Sequence, residues 1–278
     1  MDVNAFHDRL DAFYAAGDAA GAYAFLRARR DEALAQHDDA LLLTADNALI
    51  GHCRENVIFD EVEGYYREAL KCIEALNLHG TQAEATTFLN TATAFCIMGR
   101  GEESEALYDA AEALYRRILP PNDPYMAAVC NNRGLLLRAQ GRREEAYASF
   151  LKALAVLREC ADVEAETAAT LLNLASVSPD AATGETHLAS AEAYFASPDG
   201  QHDIHRFTFL ATRAELAFRR GEWTAAGDGF AATAAAWADA GGAAERRKVL
   251  LRNALYSYEK AGDAAAAARV RGELEDLA

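Results

Sequence analysis

Asparagine recurs at similar intervals along the chain, in segments whose apolar residues have helical spacing. Its side-chain amide carries a hydrogen-bond donor and an acceptor, so a row of such amides can bond the backbone of an extended peptide largely regardless of the peptide's side chains. The alternative is that these amides bond the adjacent helix and fix how successive helices stack. The recurring residues are Asn47, Asn90, Asn131, Asn132, Asn173 and Asn253.

Arginine recurs one or two helical turns along from these asparagines. A guanidinium can hold a carboxylate side chain or a peptide C-terminus through paired hydrogen bonds. We therefore predict that Arg54, Arg138 and Arg252 select an acidic feature of the ligand. The alternative is an ordinary intramolecular partner, such as Glu55 or Glu215. The recurring arginines are Arg54, Arg138, Arg213, Arg219 and Arg252.

The helices that must position these side chains are clearest on either side of Gly141. Small or apolar residues recur every three or four positions before this glycine and again after it, which indicates an amphipathic helix on each side. Glycine is common where a helix ends in a left-handed residue. The stretch therefore predicts a helix, a tight turn and a second helix with facing apolar stripes. The two stripes are Ala127, Cys130, Gly134 and Leu137, then Ala146, Phe150, Ala153, Leu154 and Leu157.

This helix pair is one unit of a repeat. The aromatic residues Tyr66, Tyr108 and Phe150 lie 42 residues apart, and the clear intervals between turn positions are 40 to 42 residues. Self-similarity at such a period is typical of a solenoid, and about seven units would use nearly the whole chain. The turn positions are Gly17, Val57, Gly99, Gly141, an unclear place near Ala182, Gly221 and Gly262.

The repeated residues resemble the tetratricopeptide repeat signature. The usual period of that repeat is about 34 residues, so this chain is more similar to the long-repeat variant of kinesin light chains and of bacterial peptide-sensing regulators. Three departures are Arg133, where leucine is usual, Ser104, where alanine is usual, and Arg158, where proline is frequent. The matching residues are Gly134, Leu137, Gly141, Ala146, Phe150 and Ala153, then Ala92, Phe95, Gly99, Tyr108 and Ala111.

The resemblance implies an all-α fold, a right-handed α-solenoid of about seven helix pairs. In such proteins the first helix of each pair lines a concave groove, and the long-repeat relatives use asparagines to grip a peptide backbone. The resemblance covers residues 1–278, which we predict to form a single superhelical domain. HEAT-type repeats are the rival fold, but the glycine turns and the pairing of alanine with aromatic residues argue against them.

The fifth unit departs from the pattern. Pro179 is predicted to stop its first helix early, and residues 197–203 read as a turn-rich loop. We therefore predict a degenerate repeat at about residues 176–203, with a break in curvature or a hinge. The alternative is a degenerate repeat that still packs as the others do.

The charge composition of the chain disfavours some classes of binding partner. The chain has 27 basic and 43 acidic residues and a net charge of −16. A nucleic-acid binder needs a basic footprint, which is not visible, and an anionic membrane surface is disfavoured in the same way. The acidity serves solubility or attracts a basic partner. The start of the sequence does not resemble a signal peptide, and its apolar runs are too short to span a bilayer.

The chemistry-bearing residue types give little sign of catalysis. His202 and His205 could place two imidazoles near each other, but a metal site would need a third converging ligand. The sequence contains no GxSxG, phosphate-loop or HExxH motif. The five cysteines include no CxxC pair, and we interpret them as helix residues of a protein in the reducing cytoplasm. We therefore predict no enzymatic activity, no cofactor and no metal.

These observations together predict a protein- or peptide-binding scaffold that holds an extended segment in its concave groove. The alternative is a structural protein that self-associates, for example as a homodimer, and has no peptide ligand. A deep pocket lined by His, Asp and Glu would favour an enzyme instead.

Overall fold

The computed structural model describes residues 3–56, 58–203, 205–242 and 244–277, and every regular element in these ranges is an α-helix. The predicted all-α fold is confirmed. The helices form two compact units, Met1–Gln140 and Gly141–Ala278. Val57, predicted at a turn, lies outside the described residues.

The first unit contains seven helices, each packed against its neighbour in the chain. They are α1 (Val3–Ala15), α2 (Ala19–Gln36), α3 (Asp39–Asn56), α4 (Val62–Ala75), α5 (Gln82–Ile97), α6 (Gly101–Ile118) and α7 (Pro124–Ala139).

The second unit contains eight helices among its described residues. They are α8 (Arg143–Leu157), α9 (Glu164–Val177), α10 (Ala181–Ala196), α11 (Pro198–His202), α12 (Arg206–Arg219), α13 (Trp223–Asp239), α14 (Ala244–Ala261) and α15 (Ala264–Glu275). Without the five-residue α11, the helices of both units correspond in chain order to the seven predicted pairs.

The predicted turn glycines have the left-handed backbone that their position requires. Gly99, for example, has φ 77°, and the N–H of Arg100 bonds back to the carbonyl of Phe95 at 2.9 Å. Glycine suits this position, because its φ is positive and a Cβ atom would make that backbone conformation unfavourable. The glycines with this backbone at predicted turns are Gly17, Gly99, Gly141, Gly221 and Gly262.

The repeated small and aromatic residues form the core. Ala69, Ala111 and Ala153 are fully buried, as are Tyr108 and Phe150. Small alanines let helices approach closely, and each large buried side chain contributes about 2 kcal/mol through the apolar area it removes from water. The spacing of 42 residues therefore marks core positions.

Ser104, which stands where alanine is usual, has a structural explanation. It is fully buried, and its hydroxyl donates to the carbonyl oxygen of Ala92 at 2.7 Å. A buried hydroxyl that finds an acceptor on the neighbouring helix is tolerated in a core. The departure from the signature therefore ties α6 to α5.

The fifth unit was predicted partly correctly. Helix α9 ends at Val177, before Pro179, as expected. The prediction of a loop at residues 197–203 is wrong, because Pro198–His202 forms α11. Ser197 caps this helix by accepting from the N–H of Gly200 at 3.1 Å, and proline suits the first helical position. A single superhelical domain with a break near residues 176–203 stays a prediction.

Candidate functional site

The recurring asparagines of the first unit lie on helices that contact one another. Helix α3 carries Asn47, α5 carries Asn90, and α7 carries Asn131 and Asn132. Helix α3 packs against α5, and α5 contacts α7. The first helices of successive pairs are therefore neighbours in this unit, and they bring these amides onto one row of helices.

Asn47 is used for stacking. Its amide nitrogen donates to the hydroxyl of Thr87 on α5 at 2.9 Å and to the carbonyl of Leu43 at 3.1 Å. Its amide oxygen is buried and has no hydrogen-bond partner among the described residues. The donor half of this amide thus joins two repeats, which is the alternative that the sequence left open.

Asn90 and Asn132 differ from Asn47. Both are half-buried, and neither side chain forms a hydrogen bond with any residue that the structure describes. A half-buried amide without a partner loses part of its hydration and gains nothing in return. The amides of Asn90 and Asn132 are therefore available to an external hydrogen-bonding group.

The other predicted asparagines are in mixed environments. Asn131 and Asn173 are half-buried and interact within the protein. Asn253, on α14 of the second unit, has an exposed side chain, and its backbone carbonyl accepts from Ser257 at 2.7 Å. Recurrence in the sequence therefore did not predict a single common environment.

The recurring arginines also differ from one another. Arg54 pairs with Glu55 at 3.0 Å, which is the intramolecular partner named as the alternative. Arg219 donates to the carbonyl of Ser178 at 2.8 Å, beyond the end of α9. Arg138 and Arg252 have exposed side chains. Arg138 and Arg252 are therefore more accessible to a ligand carboxylate than the other two are, although Arg138 also interacts within the protein.

Residues 82–159 match the family model of the tetratricopeptide repeat. Residues 82–159 carry tetratricopeptide repeats. The matched residues run from the first residue of α5 to just beyond the end of α8. The predicted resemblance to the tetratricopeptide repeat is confirmed. Tetratricopeptide repeats generally mediate interactions between proteins, and scaffold families of this type are generally non-catalytic.

Solved structures of similar proteins include helical-repeat proteins from two organisms. BtubC (BKLC) from P. vanneervenii is 15% identical, with a TM-score of 0.48 over 92% of this chain and 89% of that chain. A putative kinesin light chain of Podosopora anserina, with nearly identical TPR-like repeats, is 12% identical, with a TM-score of 0.40 over 84% of this chain and 94% of that chain. No curated protein matches the chain significantly.

The second unit contains a further feature, which the sequence pattern did not predict. A recess of about 1090 Å³ opens between the end of α8, the start of α9 and the end of α10. Tyr194 lies on its wall, and its hydroxyl donates to Asp203 at 2.7 Å. This hydrogen bond raises the pKa of Tyr194 to about 12. Only a comparison of equivalent positions between repeats could have found the recess.

Two further findings concern metal binding and membrane-spanning helices. Within the described residues, no three His, Cys, Asp or Glu side chains are grouped so that they could hold a metal ion. Asp203 accepts from the N–H of His205 at 2.6 Å, while Ile204 lies outside the described residues. No described helix has both the length and the apolar character needed to cross a membrane.

Proposed function

We propose that this tetratricopeptide protein holds an extended segment of a partner protein along the first helices of its repeats. Asn90 and Asn132 carry the proposal, because they are half-buried amides without a hydrogen-bond partner among the described residues and they lie on the neighbouring helices α5 and α7. Each amide would donate to a backbone carbonyl of the segment and accept from a backbone N–H.

The spacing of the helices suits an extended ligand. Packed helices lie about 8–10 Å apart, and an extended chain rises about 3.3 Å per residue. Amides on successive first helices would therefore meet roughly every third residue of the segment. The backbone carries the same groups at every residue, so this contact fixes the path of the segment and leaves sequence preference to other side chains.

Arginine side chains would supply that preference. Arg138 and Arg252 are exposed, and Arg54 is paired with a Glu55 side chain that is 58% exposed. An ion pair at the surface contributes only about 0.5 kcal/mol, so an incoming carboxylate can compete for the guanidinium. Asn47, Asn131, Asn173 and Asn253 complete the proposed set, although the amide nitrogen of Asn47 is already used in stacking the repeats.

A selection experiment tests the proposal. A displayed library of random linear peptides is selected on the wild type and counter-selected on the Asn90→Ala/Asn132→Ala double variant. Loss of two amide contacts should raise the Kd of the enriched peptides about thirtyfold. Asn4→Ala, a change of an exposed asparagine on α1 outside the recurring positions, serves as the matched control and should leave the Kd unchanged.

The peptide itself provides a second test. N-methylation of its backbone amides removes donors and should weaken binding more than replacement of its side chains by alanine does. Peptides that bind the double variant as tightly as the wild type, or that tolerate N-methylation throughout, would contradict the proposal. Enrichment of acidic peptides that lose affinity in Arg138→Ala or Arg252→Ala would support the role of arginine.

The self-associating alternative has its own observation. Val249 and Tyr256 lie seven residues apart on α14, and each side chain is 52% exposed, so α14 presents apolar surface that another copy of the chain could cover. Sedimentation at micromolar concentration separates the two functions, since a stable dimer that binds none of the displayed peptides would favour self-association. We propose a cytoplasmic location, because five cysteines that are free thiols suit a reducing compartment.

A further inference from the structure

The recess in the second unit has an apolar floor. Its volume of about 1090 Å³ is at the upper end of the range for binding pockets. Leu157 of α8, Ala168 and Leu171 of α9, and Ala191 of α10 line it and are each at most 6% exposed. A bulky apolar side chain that entered the recess would therefore meet hydrocarbon on several sides.

The rim of the recess is acidic. Four carboxylates line it, against the single guanidinium of Arg158. All four side chains are exposed, and none forms an ion pair with a residue that the structure describes. The rim carboxylates are Asp162, Glu164, Glu166 and Asp199.

The chemistry of this rim excludes two kinds of occupant. An anion is disfavoured because Glu164 and Glu166 occupy the first turn of α9, where they already compensate the positive end of the helix dipole. A bound metal ion is disfavoured because no three potential ligands converge among the described residues. Dispersed carboxylates around an apolar floor instead suit lysine and arginine, whose hydrocarbon stems pack on apolar surface while their charged ends stay in water.

The recess lies at positions where the preceding repeat junction has an aromatic pair. Tyr115 follows Tyr108 by seven residues, and Leu157 follows Phe150 by the same distance. Tyr125 precedes Asn132 by seven residues, as Glu166 precedes Asn173. Where the first unit has Tyr115 stacked on Tyr125 at 5.4 Å between ring centroids, the second unit has a leucine and a glutamate, and their shorter side chains leave the space open.

We propose that this recess docks a basic segment of a partner protein, with one bulky apolar side chain on the floor and lysine or arginine residues at the rim. The charge of the whole protein, −16, favours the approach of such a segment. The site uses none of the asparagines or arginines of the proposed peptide groove. Its occupancy is therefore independent of the proposed function.

The test uses the same displayed library of random linear peptides, now counter-selected on Ala193→Trp. Ala193 is exposed on α10 and lines the recess, so a tryptophan there fills the space without entering the core. Peptides that carry basic residues on both sides of a bulky apolar residue should be enriched. Their Kd should rise roughly thirtyfold in Ala193→Trp and stay unchanged in Asn90→Ala/Asn132→Ala.

A charge variant tests the rim separately. Glu164→Gln/Glu166→Gln should raise the Kd about fivefold and reduce its dependence on salt. The matched control is Glu102→Gln/Glu144→Gln, which makes the same change in the first turns of α6 and α8 and should leave the Kd unchanged. Circular dichroism confirms the fold of every variant, and Ala165→Trp provides a second filling change if Ala193→Trp does not fold.

Any of the following outcomes would overturn the proposal. The selection could enrich no basic peptides, the enriched peptides could bind the filled variants as tightly as the wild type, or they could respond equally to the control pair of glutamates. A second copy of the chain as occupant would appear as a dimer that Ala193→Trp dissociates, and this result also counts against a basic segment. Loss of binding in Asn90→Ala/Asn132→Ala alone would assign the peptides to the groove instead.

Discussion

The junction between α6 and α7 is closed, whereas the junction between α8 and α9 is open, although both occupy the same place in the repeat. In the first, Tyr115 is fully buried, stacks on Tyr125, and its hydroxyl lies 2.8 Å from that of Thr86. In the second, Leu157 and Glu166 stand at these positions and border the recess. The two junctions therefore differ in the side chains that stand at these two positions.

The two junctions also differ in how their charged side chains are paired. At the closed junction, Arg133 of α7 pairs with Asp109 at 2.6 Å and with Glu112 at 3.1 Å, both on α6. At the open junction, the rim carboxylates have no basic partner among the described residues. A repeat therefore fixes where its helices lie, while individual side chains decide whether a junction serves the fold or faces a partner.

The largest expected effect comes from shortening the buried side chain at each junction. Tyr115→Ala should lower the free energy of unfolding by about 4 kcal/mol, because it removes a fully buried ring and its stacking contact with Tyr125. Leu157→Ala should cost only about 2 kcal/mol, because part of its surroundings is already open. Urea denaturation followed by circular dichroism measures both, and equal losses would contradict the difference between the junctions.

The next effect concerns two tyrosines with raised pKa values. Burial raises the pKa of Tyr115 to about 12, whereas the hydrogen bond to Asp203 is the main cause that raises the pKa of Tyr194 to about 12. Asp203→Asn should therefore lower the pKa of Tyr194 towards its ordinary value of about 10 and leave that of Tyr115 unchanged. NMR titration of carbon-13-labelled tyrosines checks this.

The sign of the effect on stability follows from these values. A tyrosine whose pKa is higher in the folded than in the unfolded state stabilises the fold fully below about pH 10, and this contribution disappears as the pH rises through about 12. The difference in unfolding free energy between the wild type and Asp203→Asn should therefore shrink over that range. An unchanged pKa of Tyr194 in Asp203→Asn would show that the recess wall is not organised by Asp203.

The smallest effect should come from the charges. Arg133→Ala should destabilise the protein by about 1 kcal/mol at low salt and by less at high salt, because its pairs are partly exposed. Arg158→Ala, at the open junction, should change the free energy of unfolding by less than about 0.5 kcal/mol, because Arg158 is exposed and forms no ion pair with a described residue. Thermal denaturation at two salt concentrations measures both. A larger loss of unfolding free energy for Arg158→Ala than for Arg133→Ala would contradict the difference between the junctions.

The sequence predicted the helices well because their signals are local. The stripes around Gly141 and the early stop before Pro179 depend on neighbouring residues, and the structure has both. The prediction of a loop at residues 197–203 was wrong, because the serine and proline typical of turns are also the residues that begin a capped helix.

The candidate sites were harder to predict because they depend on contacts between repeats. The recurrence of asparagine was visible, but the sequence could not show that Asn47 bonds Thr87 while Asn90 has no such partner. The recess could not be predicted from a motif, because it is a space that short side chains leave open. An apolar or an acidic residue is common at either position. Comparison of Tyr115 and Tyr125 with Leu157 and Glu166 would have been the only sequence signal.

The most direct measurement of the proposed function is NMR hydrogen exchange of the asparagine side-chain amides, with and without a peptide selected on the wild type. In the free protein, the Asn47 amide should exchange slowly, because it bonds Thr87, and the amides of Asn90 and Asn132 should exchange fast. Saturation with the peptide should shift and protect these two amides. Unchanged exchange and shifts at Asn90 and Asn132 in the saturated complex would contradict the account.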